Sequence, residues 1–323
     1  MIEKLKRIPY RLNRQRFNED NACIRNLELV TDVNTYFSYI GNERRKQLKE
    51  AILKNTRDAG RSKDEKVIAH AYWYGEIGRK QAFSVLSYLV TQDLSKTEVW
   101  LWLDEESGYS GYEQNNYLKE LLPYIKVKKY NPKEELKGVK CFNKIVFTDK
   151  SNLASRSDGF RVLTLYKYGG LYFDLDVCFL EDILCLCGTK DWCYAWEKQA
   201  YANSALLYFP KNNKTSLSRY IFYKAQRKAP MPWAILNYSD KKLHNMIVYP
   251  YQIFDPAWLN EQNEATSEFF DQFFKKSASP DEFYPGAIAY HWHNRWGLEI
   301  DEDSQFARLE RRYRAILKAK LIP

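Results

Sequence analysis

Ser155-Arg156-Ser157-Asp158-Gly159-Phe160-Arg161-Val162-Leu163-Thr164-Leu165-Tyr166-Lys167-Tyr168-Gly169-Gly170-Leu171-Tyr172-Phe173-Asp174-Leu175-Asp176-Val177 is the stretch that decides the fold. Ser155 can cap a helix, and Asp158 three residues on completes a box-like start. Asp158 and Arg161 are one turn apart and share a face. Tyr166 and Tyr168 end the helix, and Gly169-Gly170 supplies a left-handed stop. Leu171-Tyr172-Phe173 then reads as a short strand that delivers Asp174 and Asp176. Residues two apart on a strand point the same way, so both carboxylates can converge on one site.

Outward from this unit, strand and helix signals alternate. Lys66–Trp73 reads as a strand broken by Gly75 and Gly78, and a helix pattern follows through Phe83, Leu86 and Leu89. Glu98–Asp104, Ile125–Tyr130 and Lys144–Thr148 read as further strands, with residues 34–58 and 113–122 as helices. Strands separated by helices of about 10–15 residues imply an α/β fold with a mostly parallel sheet, in which ligands bind beyond the carboxyl ends of the strands. No Pro-, Gly- or Ser-rich linker divides the chain. The expected organisation is a basic helical extension over residues 1–60, a main domain over 61–300, and a basic helix over 301–323 packed on it.

Composition narrows the function classes. With 323 residues and 45% hydrophobic content, the chain can bury a full core. It has no run near the roughly 18 apolar residues of a membrane span, and Met1–Arg7 lacks the apolar stretch of a secretory signal. The six cysteines show no CxxC pair, and several lie in apolar runs such as Val177–Leu180, where a thiol packs as a small hydrophobe. A reducing, cytoplasmic setting follows, with the protein at most peripheral at a membrane. The net charge of +9 calls for an anionic partner. Its basic residues flank the chain without interleaving with aromatics, and no nucleic-acid motif appears; a nucleic-acid-binding module is the remote alternative.

Two converging carboxylates beside a basic helix face suit Mg²⁺ or Mn²⁺, hard cations that share oxygen ligands with substrate phosphates. Such a cation stabilises a diphosphate leaving group. A bare Asp-x-Asp carries little information, and the chain contains its own control in Asp301-Glu302-Asp303. Only Asp174-Leu175-Asp176 follows a helix, a Gly-Gly stop and an apolar strand.

Ser157-Asp158-x-x-Arg161-x-x-x-Leu165-Tyr166-x-Tyr168-Gly169-Gly170-x-Tyr172-x-Asp174-x-Asp176-Val177 closely resembles the DxD sugar-binding region of retaining GT-A glycosyltransferases. That group includes capsular-polysaccharide sugar transferases, initiating mannosyltransferases and α-1,4-galactosyltransferases. His70–Gly75, Asn203–Leu207, Pro250–Pro256 and Ala289–Trp296 are similar to its other signatures, so the resemblance spans about residues 66–297. It implies a GT-A, Rossmann-like fold and a metal-dependent hexosyl transfer from a nucleotide sugar, a UDP-sugar foremost, to a glycan or lipid-linked acceptor. It further implies metal ligation by Asp174, Asp176 and His291, with Asp176 the more direct carboxylate. Asp158 and Arg161 would hold sugar hydroxyls, with Tyr172 in the same donor-binding set. Asn203 would sit near the reacting centre, and Ala71, Tyr72 and Trp73 would line the base and ribose. Where many relatives read His-His-Trp this chain has Tyr290-His291-Trp292, followed by His293, so either His291 or His293 meets the metal.

The family retains anomeric configuration by front-face attack, without a placed carboxylate nucleophile; Glu197 and Asp255 are the carboxylates left open for a covalent route. A protein-modifying, effector- or toxin-like transferase shares the same Tyr-Gly-Gly-x-Tyr-x-Asp-x-Asp core and is the nearer alternative. Asp158–Arg161 can also be read as an ordinary surface ion pair. In the tail, Phe306, Leu309, Tyr313, Ile316, Leu317 and Leu321 share one helix face. They suit packing on the domain or weak contact with an anionic membrane surface.

Overall fold

The computed structural model describes residues 38–56, 66–196, 199–211, 217–237, 240–243, 246–262, 264–265, 268–276 and 283–320. The basic start before residue 38, Cys23, Glu197 and His244 lie outside these. The elements that matter for the site are α1 (Asn42–Thr56), β1 (Val67–Trp73), α2 (Arg79–Thr91), β2 (Thr97–Asp104), β3 (Ile125–Tyr130), α3 (Leu153–Tyr168), β4 (Gly170–Phe173), β5 (Val177–Phe179), β6 (Trp192–Ala195), β7 (Ala202–Phe209), α4 (Leu217–Arg227), β8 (Ile247–Tyr249), β9 (Ala289–His291) and α5 (Gln305–Ala319).

Seven strands form one sheet in the order β3-β2-β1-β4-β7-β6-β8, while β5 and β9 pair as a separate antiparallel ribbon. The β3-β2-β1-β4 half is parallel, and β7 runs antiparallel between β4 and β6. This is the mostly parallel α/β sheet that the alternating pattern predicts. Because β1, β2 and β4 are parallel, Trp73, Asp104 and Phe173 end on the same edge. The antiparallel β7 begins on that edge, which brings Asn203 to the end of β4; Asp174 N–H donates to Ala205 O at 2.8 Å.

Three local readings are corrected. Ile145–Thr148 is a single helical turn instead of a strand: a short apolar run has no period by which to tell the two apart. Residues 113–122 hold a short 3₁₀ turn at Tyr112–Gln114 and further turns, with no α-helix. Helix α3 begins three residues earlier than the Ser155 cap implies, because Asn152 accepts from Ser155 N–H at 3.1 Å and is the capping side chain.

The Gly-Gly stop between α3 and β4 is a steric requirement. Gly169 and Gly170 have φ of +64° and +96°. A Cβ on Gly170 would lie 2.1 Å from Ile68 O, and one on Gly169 2.7 Å from Lys211 Cα. The first clash would push β4 off β1, and the second would push the end of α3 off the chain that follows β7. His70 closes this corner: its Nδ1 accepts from Trp102 Nε1 at 3.2 Å, so Nε2–H donates to Gly169 O at 2.9 Å. Burial drives the His70 pKa down to about 3 and keeps it neutral.

Helix α3 lies on β1, β4 and β7 and packs against α4, while α2 packs against α5 and β5. The tail helix is therefore a core element. Phe306 and Tyr313 meet Phe83 of α2, Leu309 and Leu317 are buried, and Tyr313 O–H donates to Phe179 O at 3.0 Å. Burial of such a stripe is worth about 1.5–3 kcal/mol per large side chain, which favours packing over docking on lipid. No helix among the described residues is long and apolar enough to cross a membrane. Cys178, Cys187 and Cys193 are buried, and Cys185 is exposed.

Candidate active site

Strand β4 stops at Phe173, so Asp174 and Asp176 lie in the turn before β5, where Val177 N–H donates to Asp174 O at 3.1 Å. The expectation that a strand aims both carboxylates alike gives way to a turn that sends them to different partners.

Asp174 faces α3. Its Oδ1 accepts from Tyr172 O–H at 2.5 Å and Arg161 NH2 at 3.1 Å, and its Oδ2 from Arg161 NH1 at 3.2 Å. Arg161 is buried; it also donates to Ser204 O and Oγ at 2.9 and 2.6 Å and pairs with Asp158 at 3.2 Å. Asp158 and Arg161 are thus no exposed surface pair. Burial holds the Asp158 pKa up to about 6, against the pull of Arg161. Tyr172, one hydroxyl away, also meets Ser157 Oγ at 3.1 Å.

Asp176 faces the chain's C-terminal part. Its Oδ2 accepts from Asn294 N–H at 2.8 Å and lies 3.2 Å from His291 Nε2. His291 is the last residue of β9, and Val177 pairs with it in the ribbon, so that pairing aligns the two side chains. Beyond it, His293 and Asn294 take φ of +48° and +58°. Such left-handed backbone is uncommon outside glycine and clusters at functional sites. Lys80, in the first turn of α2, ties this loop down by donating to Arg295 O and, at 2.6 Å, to Leu298 O. Burial alone raises Asp176; His291, Asn294 N–H and His293 outweigh it and bring its pKa down to about 2.

The remaining candidates divide. Asn203 is buried at the start of β7, its Oδ1 accepting from Ala205 N–H at 2.8 Å while its Nδ2 finds no hydrogen-bond acceptor. Trp73 is half-buried, its Nε1–H donates to Glu76 O at 2.9 Å, and its ring stands edge-on to Trp296 at 4.9 Å. Ala71 and Tyr72 depart from their expected roles. Ala71 is fully buried in β1, and Tyr72 turns into the core, where its hydroxyl donates to Asp104 at 2.6 Å and its ring stacks on Phe160 at 4.6 Å. Strand alternation settles this: Tyr72 falls on the α3 side of β1, a fact that its place in the motif does not carry.

Sequence reasoning missed Tyr194, whose hydroxyl meets His291 Nδ1 at 3.0 Å, and gave Asp255 only the role of a spare nucleophile. Asp255 was legible only as an unspecified position within Pro250–Pro256, and Tyr194 carries no motif. The donor set of carboxylate oxygens and one imidazole suits a divalent cation, and Asp255, His291 and His293 also offer ligand atoms within 4.8 Å of one another. Asp255 Oδ1 is buried without a hydrogen-bond partner among the described residues, as expected beside a site that takes positive charge.

Residues 95–203 match the family model described as the glycosyltransferase sugar-binding region containing the DXD motif. The span holds Asp158, Arg161, Asp174, Asp176 and Asn203 but neither β1 nor His291. Among solved structures the chain is similar to the PaToxG glycosyltransferase, at 16% identity over 63% of this chain and 77% of that one, with a TM-score of 0.38. It is similar to GlyE of Streptococcus pneumoniae TIGR4 at 10% identity over 80% of this chain and 63% of that one, with a TM-score of 0.44. Similarity extends to LgtC, a galactosyltransferase solved with donor and acceptor sugar analogues, at 12% identity over 78% and 95%, with a TM-score of 0.38. No curated protein matches the chain. The fold rests on its own strand order, and the likeness to glycosyltransferases on the matched region, residues 95–203.

Proposed function

From a chain whose residues 95–203 carry the DXD sugar-binding region of glycosyltransferases, and which is on that ground a transferase enzyme, we propose a metal-dependent, retaining hexosyl transfer. The donor is a nucleotide sugar, UDP-linked foremost, and the acceptor a glycan or lipid-linked sugar. The observation that carries this reading is the 3.2 Å approach of His291 Nε2 to Asp176 Oδ2 across 115 residues of chain, in a pocket where Asn294 N–H also points at the carboxylate. Asp176 and His291 would hold Mn²⁺ or Mg²⁺, with Asp174 beside them; the ion would neutralise the donor's diphosphate as it leaves.

Each neighbouring side chain has a defined task in this reading. Arg161 fixes Asp174 and balances its charge, so that two adjacent carboxylates can be held together. Asp158, 12% exposed, keeps a face for a sugar hydroxyl. Asn203 offers Nδ2–H to the reacting sugar or its leaving oxygen. Trp73, at the end of β1, borders the nucleotide. Residues 61–300 would form the catalytic unit, with α5 completing its core.

A hydrolysis screen of UDP- and GDP-sugars with Mn²⁺ tests the proposal, since slow donor hydrolysis needs no acceptor. Release of nucleotide diphosphate that stops in EDTA and returns with Mn²⁺ is the expected result. Hydrolysis at full rate in EDTA would overturn the metal dependence.

A further inference from the structure

Asp255 and Tyr194 have no task so far, yet they define the far side of His291. Asp255 lies in the loop after β8 and is 2% exposed. Its Oδ2 is 2.6 Å from His293 Nε2 and 3.9 Å from His291 Nδ1. Tyr194, fully buried in β6, places its hydroxyl 3.0 Å from the same Nδ1. The imidazole of His291 is therefore held at both edges, with Nε2 toward Asp176 and Nδ1 toward a hydroxyl and a carboxylate.

His293 cannot exchange places with it. The His293 ring stacks on His291 at 3.8 Å and lies against Trp258 and Phe270, with centroids 4.3 and 4.4 Å away. Its Nε2 is turned back to Asp255, and its left-handed backbone fixes the direction of the side chain. The extra histidine of the sequence thus has its Nε2 engaged by the buried Asp255 carboxyl.

We propose that Asp255 and Tyr194 are positioning residues that hold the Nδ1 edge of His291, so that Nε2 faces Asp176 and a divalent cation, with His293 fixing Asp255. The physical basis is general: a histidine that ligates through one ring nitrogen donates from the other to a carboxylate or other acceptor, which sets its tautomer and raises its basicity. Asp255 would act by its placement 3.9 Å from Nδ1, and Tyr194 through the direct hydrogen bond.

The inference rests on the metal reading above, and the test separates the two. Mn²⁺ binding to the full chain without donor, followed by calorimetry, should show one equivalent. Asp176→Asn should abolish it. Asp255→Asn should raise the Mn²⁺ Kd about 10–100-fold with an unchanged melting temperature, since losing such an outer partner costs affinity on that order. Tyr194→Phe should raise it by a smaller factor, and serves as the test if Asp255→Asn does not fold. In ¹⁵N-histidine spectra with Mg²⁺, His291 should hold the Nδ1–H tautomer in the wild type and lose that fixed assignment in Asp255→Asn. An unchanged Kd together with an unchanged His291 tautomer would overturn the inference alone. A second equivalent that disappears in Asp255→Asn would also overturn it, by making Asp255, His291 and His293 a cation site of their own. A wild-type chain that binds no Mn²⁺ would instead overturn the metal reading, and this inference with it.

Discussion

The chain spells Asp-x-Asp twice, at 174–176 and at 301–303, and folding makes the two unlike. Asp301 accepts from Lys276 N–H at 2.7 Å in an exposed turn, and Asp303 is 65% exposed with Lys276 at 3.9 Å. The ordinary business of surface carboxylates accounts for both. Asp174 and Asp176 are set among Arg161, His291 and Asp255, where neighbouring acids repel one another and each buried charge needs a specific partner. A third buried acid sharpens the contrast. Asp104 accepts from Tyr72 O–H, from Arg156 Nε and NH2, and from Glu106 N–H, with both ion-pair partners fully buried. Its bonding capacity is filled from within, so it reads as structure. Asp176 instead meets His291, on whose far side Asp255 Oδ1 remains unmatched.

The comparison breaks most sharply on Asp176→Asn, expected to lower donor hydrolysis by about 10³-fold or more, since a metal supplies several kcal/mol of charge stabilisation. Retention of near wild-type hydrolysis would end the distinction between the two motifs. Next in size is Arg161→Ala. The variant leaves Asp174 without its cation, which costs about 3 kcal/mol of stability as well as activity. The sequence alone suggests a purely donor-facing residue, whose loss would spare the melting temperature; a thermal melt decides between these.

Asp158→Asn comes third and concerns pH. The folded-state pKa of Asp158 is raised to about 6, above its ordinary 3.8. A raised carboxyl favours the protonated native state, so stability falls as pH climbs between those values and levels off beyond. The variant should flatten that fall in a series of denaturant midpoints between pH 4 and pH 7; an unaltered slope would place the effect elsewhere. The smallest effect belongs to Asp303→Asn, expected within about 0.5 kcal/mol of wild type and unchanged in hydrolysis. A loss of activity there would show that exposure is a poor guide.

Much of this was legible beforehand. β1 and β2 were readable to within a residue or so because long runs rich in β-branched and aromatic residues have few alternatives, and β3 because Ile125, Val127 and Tyr130 follow the Pro123 break. The glycine stop was readable too, since only glycine meets the steric demand at Gly169 and Gly170. Ile145–Thr148 failed because four apolar residues carry no period, and Tyr72 because a motif does not say which face of its strand turns inward.

By itself, then, the sequence determined the α/β alternation, the helix–Gly-Gly–strand unit and which of the two Asp-x-Asp motifs follows it, because those depend on neighbours within about twenty residues. Tertiary structure alone decided that His291 and not His293 faces Asp176, that Arg161 serves Asp174, and that Asp255 and Tyr194 stand behind the histidine. These contacts join positions up to 115 residues apart through the pairing of β5 with β9 and of β6 with β7 and β8. A ring nitrogen's direction is fixed by what packs against it, and no spacing along the chain encodes that.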